Sequence, residues 1–135
     1  MNRYLAILDE ADGMYGVIFP DAPGAVAMGE TPEEAIDNAG EALSEWMADW
    51  VADGNKVPEP RSYAAILKSG EFPQLGKGGL VATIRLVLET GKLTRANISL
   101  DEGLLTAIDK TAAERGVTRS AFLAAAARQV IYSTN

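Results

Sequence analysis

The chain contains no cysteine and no histidine. Without cysteine there is neither a disulfide nor a thiolate metal site, which fits a reducing, cytoplasmic setting. Without histidine there is no imidazole base, no Ser-His-Asp triad and no histidine ligand, so no metal or cofactor is expected. Long apolar runs are missing too, as is a basic leader followed by an apolar stretch. The expectation is a protein with no membrane span and no signal peptide.

Positive charge is scarce as well. Lys and Arg number 12 against 19 Asp and Glu, a formal net charge of −7 over 135 residues. The deficit is uneven: residues 1–91 carry six basic and fifteen acidic side chains (net −9), whereas residues 92–135 carry six and four (net +2). Such asymmetry points to two tasks in one chain. An acidic half avoids nucleic acid and favours a basic partner, while a mildly basic tail gains on a polyanion when several copies act together. The length suits one ordinary domain or two small ones, and the expected division is 1–90 and 91–135.

The most informative stretch is 92–128, KLTRANISLDEGLLTAIDKTAAERGVTRSAFLAAAAR. Ala96, Ile98 and Leu100 alternate with Arg95, Asn97 and Ser99 at the period of a strand. Leu104, Leu105, Ile108 and Ala112 follow at helical spacing, and Gly116 stands where a left-handed C-cap is wanted. Thr118 and Ser120 are N-cap candidates for a second, alanine-rich helix. One strand and two helices cannot bury their own apolar surface. A second copy of the chain supplies the repair: two strands pair antiparallel across a two-fold axis and four helices pack beneath. The outer face then carries Arg95, Asn97 and Ser99 twice. Arg can fork onto guanine and Asn onto adenine in a major groove that admits a two-stranded ribbon. A merely solvated polar face is the plainer account of the same alternation. In RANISLDEGLL and GVTRSAFL the chain resembles the ribbon-helix-helix DNA-binding family. The resemblance implies Arg95, Asn97 and Ser99 as base readers. It also implies the backbone amides near Thr118, Arg119 and Ser120 as a phosphate anchor, as suits a helix N-terminus.

Upstream, strands are predicted at 3–8, 14–20 and 25–29. Asp12-Gly13 signals a hairpin, and Asp21, Pro23 and Gly24 a further turn. Thr31, Pro32 and Glu34 read as N-cap, first helical residue and capping box. The helix they open has the stripe Ala35, Ile36, Ala39, Ala42, Leu43, Trp46, Met47 and Trp50, with Gly54 past its end. Core packing is the default reading of that stripe; two tryptophans one turn apart can also anchor a partner. Residues 53–79, with Pro58, Pro60, Pro73 and a GKGG run, are expected to form a long surface connection with little order of its own. YAAILKSG within it could be a short helical or extended piece. LVATIRLVL (80–88) reads as a strand, with Glu89, Thr90 and Gly91 as a hinge. The fold class expected is α+β: a small β-β-β-α-β domain with one helix on one face of its sheet, then the ribbon-helix-helix tail.

The segments YGVIFPDAPGAVAMG, ETPEEAIDNAGEAL and LVATIRLVL resemble the HicB family of antitoxins, and with the tail the resemblance spans nearly the whole chain. It implies a reduced RNase H-like N-terminal domain that silences a small partner toxin, HicA, an mRNA-cleaving ribonuclease. It further implies a C-terminal domain that binds operator DNA and represses the operon encoding both proteins. The chain would be a homodimer through the ribbon, with a tetramer or larger assembly left open. Two rivals stand beside this reading. One is a nuclease in which Asp9, Glu10, Asp12 and Asp21 hold two Mg²⁺. Those residues equally serve turn chemistry and no independent motif accompanies them, so no enzyme is expected. The other is a ribbon-helix-helix repressor whose N-terminal domain senses a small ligand. Co-purification of a partner separates it from the antitoxin.

Overall fold

The computed structural model describes residues 2–133. It separates into two compact units, one of residues 2–90, to which Tyr132 and Ser133 also belong, and one of residues 91–131.

In the first unit, β1 (Arg3–Ala11), β2 (Met14–Ile18), β3 (Val26–Gly29) and β4 (Leu80–Arg85) form an antiparallel sheet in the order β3-β2-β1-β4. Asp12 (φ 54°) and Gly13 (φ 79°) link Ala11 to Met14 in a two-residue turn whose left-handed pair matches the twist of the strands. β1 outruns the predicted 3–8 because Asp9, Glu10 and Ala11 pair with Gly16, Tyr15 and Met14 right up to that turn. β2 and β3 are shorter than expected, since bonds from Ala22 N–H to Phe19 C=O and from Ala25 N–H to Ala22 C=O fold 19–25 into tight turns. β4 ends at Arg85 rather than 88. Its partner β1 begins at Arg3, and one more bond joins Leu86 N–H to Asn2 C=O (2.9 Å).

The alternation of β1 sends Tyr4, Ala6 and Leu8 to one face, where they meet Val17, Ile84 and the helix α1 (Pro32–Ala52). Ala35, Ala39, Leu43 and Met47 line the buried side of α1 at helical spacing. Thr31 caps it as expected, its Oγ1 accepting the Glu34 N–H at 3.1 Å. Gly29 lets β3 run hard against the first turn of α1: a Cβ there would collide with the Ala35 backbone. That explains why glycine stands just ahead of the capping sequence.

The opposite face corrects the reading of 53–79. Leu5 and Ile7 are buried beneath Ile66 of α2 (Tyr63–Ser69) and Leu75 of a 3₁₀ turn (Pro73–Lys77), with Ile18 and Phe72 beside them. The segment is therefore an ordered second cover, and the sheet has helices on both faces rather than one. The physical reason lies in β1, which is buried on both sides from Tyr4 to Leu8 and so needs apolar partners above and below. Between the two covers the chain is pinned: Trp50 Nε1–H donates to Lys56 C=O (2.8 Å), and the Tyr4 hydroxyl donates to Pro58 C=O. Burial raises the pKa of that hydroxyl.

The second unit holds α3 (Glu102–Glu114) and α4 (Arg119–Ser133). Asp101 caps α3, accepting the Leu104 N–H at 3.1 Å. Gly116, at φ 68°, stops it in the expected left-handed conformation, with Val117 N–H returning to Ala112 C=O. Of the two cap candidates for α4, Thr118 is the cap, accepting the Ala121 N–H at 3.1 Å, and Ser120 lies inside the first turn. Residues 92–101 form no strand within the single chain. A ladder requires a neighbour, and this unit contains no other strand.

Candidate DNA-facing and partner-facing surfaces

The residues expected to read bases lie at the surface. Arg95, Asn97 and Ser99 are exposed, and so are the apolar residues that alternate with them. Ile98 keeps 63% of its surface in water and Leu100 38%. The alternation foreseen for 94–100 is therefore present in sequence, while the burial of one of its faces is absent from a single copy. Ile98 and Leu100 instead border an open groove of about 350 Å³ with Leu105 of α3 and Leu123 of α4. Of the expected readers and anchor residues, Asn97, Arg119 and Ser120 line the same groove, and Arg95, Ser99 and Thr118 do not.

At the anchor, the first intrahelical bond of α4 runs from Phe122 N–H to Thr118 C=O. The amides of Arg119 and Ser120 precede it and point out of the helix end, the arrangement that receives anions. The Arg119 side chain is otherwise engaged. Its guanidinium grips Asp109 with both arms, Nε to Oδ1 at 2.8 Å and Nη2 to Oδ2 at 2.7 Å. That hydrogen bond lowers the pKa of the Asp109 carboxyl and raises that of the guanidinium. Arg119 thereby fixes the turn between α3 and α4, and the groups left to receive an anion at this end are the backbone amides.

The carboxylates considered for metal binding do not come together. Asp21 is taken by Arg61, whose Nε approaches Oδ1 at 2.6 Å and whose backbone N–H meets Oδ2 at 2.9 Å. The same guanidinium reaches Glu71 and the Pro20 carbonyl, and its hydrogen bond to Asp21 raises its pKa. Asp9, Glu10 and Asp12 are exposed at the hairpin end of β1. Among the described residues no group of three or more His, Cys, Asp or Glu side chains could hold a metal ion. Among them, too, no helix is long and apolar enough to cross a membrane.

The tryptophans are stacked, ring centroids 4.9 Å apart and planes 15° from parallel. Trp46 Nε1–H donates to Pro23 C=O at 2.9 Å, so the pair pins the 19–25 turn while one flank stays open to water. Glu33, Glu34, Glu41, Glu45 and Asp49 lie exposed along the solvent side of α1, which carries no basic residue. Sequence reasoning missed the outward pair on β3. Val26 and Met28 are 56% and 54% exposed on either side of buried Ala27. The signal that could have found them is their alternation with the small residue that packs inward.

Comparison with known proteins agrees with this geometry. The model of the HicB-like antitoxins of bacterial toxin–antitoxin systems matches residues 4–127. The chain is similar to the crystal structure of the Burkholderia pseudomallei antitoxin HicB, at 32% identity over 97% of this chain and 99% of that one, with a TM-score of 0.55. A chain of the HicA3–HicB3 toxin–antitoxin complex shares the fold at 20% identity, over 64% of this chain and 99% of that one, with a TM-score of 0.51. A 14.9 kDa protein from the rep–hol intergenic region of Haemophilus phage HP1 is 28% identical over 109 residues, 79% of each chain.

Proposed function

Because the chain belongs to the HicB-like antitoxin family of bacterial toxin–antitoxin systems, we propose that its first unit neutralises a HicA-type toxin, an mRNA-cleaving ribonuclease, and that its second unit represses the operon encoding the pair. The observation that carries the proposal is the span of the family likeness, residues 4–127, which runs through both units. The acidic first unit supports the toxin half, because a protein that handles RNA presents a basic surface. Complementary charge speeds encounter and suppresses wrong partners, while apolar anchors supply most of the affinity.

The state of residues 92–101 supports the DNA half. A stretch with Ile98 and Leu100 exposed is read as a strand awaiting a partner, and a second copy of the same stretch provides one. The paired ribbon would present Arg95, Asn97 and Ser99 to base edges, with the amides at Thr118, Arg119 and Ser120 seated on phosphate. On this reading the first unit is the reduced RNase H-like domain expected of the family, its sheet put to binding a partner.

The test is co-expression with the adjacent small reading frame, followed by affinity purification of this chain. A small basic protein is expected to co-purify and to cleave RNA only once released. Arg95→Ala is then expected to lower operator affinity at least tenfold in a gel-shift titration while toxin inhibition is unchanged. Loss of both activities together would count against separable units. If nothing co-purifies while the promoter is still bound, a repressor sensing a small ligand is the better account.

A further inference from the structure

The β3 edge of the first unit is an incompletely covered surface. The row Val81–Ile7–Ile18–Val26 crosses the sheet on its second face, and the row Asp9–Gly16–Met28 lies next to it. Ile66, Phe72 and Leu75 cover the middle of that face, yet Val26 and Met28 remain more than half exposed. Gly16, opposite Met28, has no side chain to fill the space above it. Around the edge, Val26 also borders a cleft of about 230 Å³ walled by Trp46, with Glu45 and Asp49 on its rim. The backbone of the edge is partly closed, because Asn38 Nδ2 donates to the Met28 carbonyl at 2.8 Å. That contact obstructs addition of a further strand, so an occupant must be recognised through side chains.

Resting on the toxin-binding reading, we propose that this edge is where the toxin docks. Val26 and Met28 serve as its apolar anchors, and a Lys or Arg of the toxin is held over Trp46 between Glu45 and Asp49. The chemistry matches the partner. A ribonuclease surface built to hold phosphates is rich in cations, and an aromatic wall with two carboxylates receives a cation through both the ring and the charges. An apolar pair beside a charged rim is the usual anatomy of a protein interface. Occupation of the same cationic surface by an acidic edge would also exclude RNA, which accounts for neutralisation without chemistry.

The experiment uses the full chain and the small basic protein encoded beside it, with binding kinetics measured by biolayer interferometry. Val26→Lys/Met28→Lys is expected to weaken binding at least tenfold, chiefly through faster dissociation. Glu45→Lys/Asp49→Lys is expected to slow association at least fivefold at low salt and to flatten its salt dependence. All four positions are exposed, and unchanged circular dichroism and operator binding would verify the fold. Hydrogen exchange on the wild-type complex gives an independent reading, with slowed exchange expected at residues 24–29. Wild-type affinity in both double variants, or unaltered exchange there, would overturn the docking site and leave the toxin reading standing. Failure of the wild-type chain to bind any small basic protein would overturn both.

Discussion

Asp21 and Arg61 show how single side chains hold the first unit together. They are forty positions apart, and their contact ties the turn after β2 to the strap that carries the chain from one face of the sheet to the other. Asp21 is nearly buried, so removing one partner strands the other's hydrogen-bonding groups away from water. Asp21→Ala is expected to cost about 1–3 kcal/mol in urea denaturation, the penalty of unsatisfied buried groups. Exposed Glu45→Ala, which breaks no contact of this kind, should stay within about 0.5 kcal/mol of wild type. Legibility at this scale followed distance along the chain. Asp12-Gly13 and Thr31-Pro32-Glu34 could be read because turn and cap chemistry is completed within four residues. The partner of Asp21 could not, since nothing local distinguishes a carboxylate that ends a strand from one that receives an arginine.

Among the elements, α1 was legible along its full length because its apolar stripe repeats over five turns. The second cover was not, because Ile66, Phe72 and Leu75 are single apolar residues in separate short elements with no period to detect. Their role is dictated from outside, by a central strand that must be buried twice. Residues 92–101 are the reverse case, with a clear strand period and no strand in one copy. On the proposed pairing, such a segment can be recognised by its alternation but is completed only by a second copy of the chain. Ile98→Asp places a charge where the two copies would share their core. It is expected to leave the helical circular dichroism of α3 and α4 intact while shifting sedimentation from dimer or larger to monomer. A variant that still sediments as the wild type would remove the ribbon from the assembly.

For the whole molecule, the charge asymmetry of the sequence coincides with the two units of the structure, acidic before the hinge and basic after it. One tail with a net charge of +2 would neutralise few phosphates, so the proposed operator binding would have to gather contacts from several tails at once. Operator affinity is accordingly expected to fall steeply and linearly on a log–log plot against salt concentration. A flat response would rule out a ribbon seated in the major groove with phosphate anchors at its flanks.

The place of β1 at the centre of the sheet sets the order in which the protein comes into being. β2 can pair with β1 at once, but the first unit closes only when β4 emerges, some seventy residues after β1. The second unit, residues 91–131, follows β4 in the chain and is made after it. In this order the sheet and its β3 edge can form while the second unit, proposed to face DNA, is still being made. A newborn chain could then engage a toxin before it can pair with a second copy, and protection of messenger RNA would precede shut-off of the promoter.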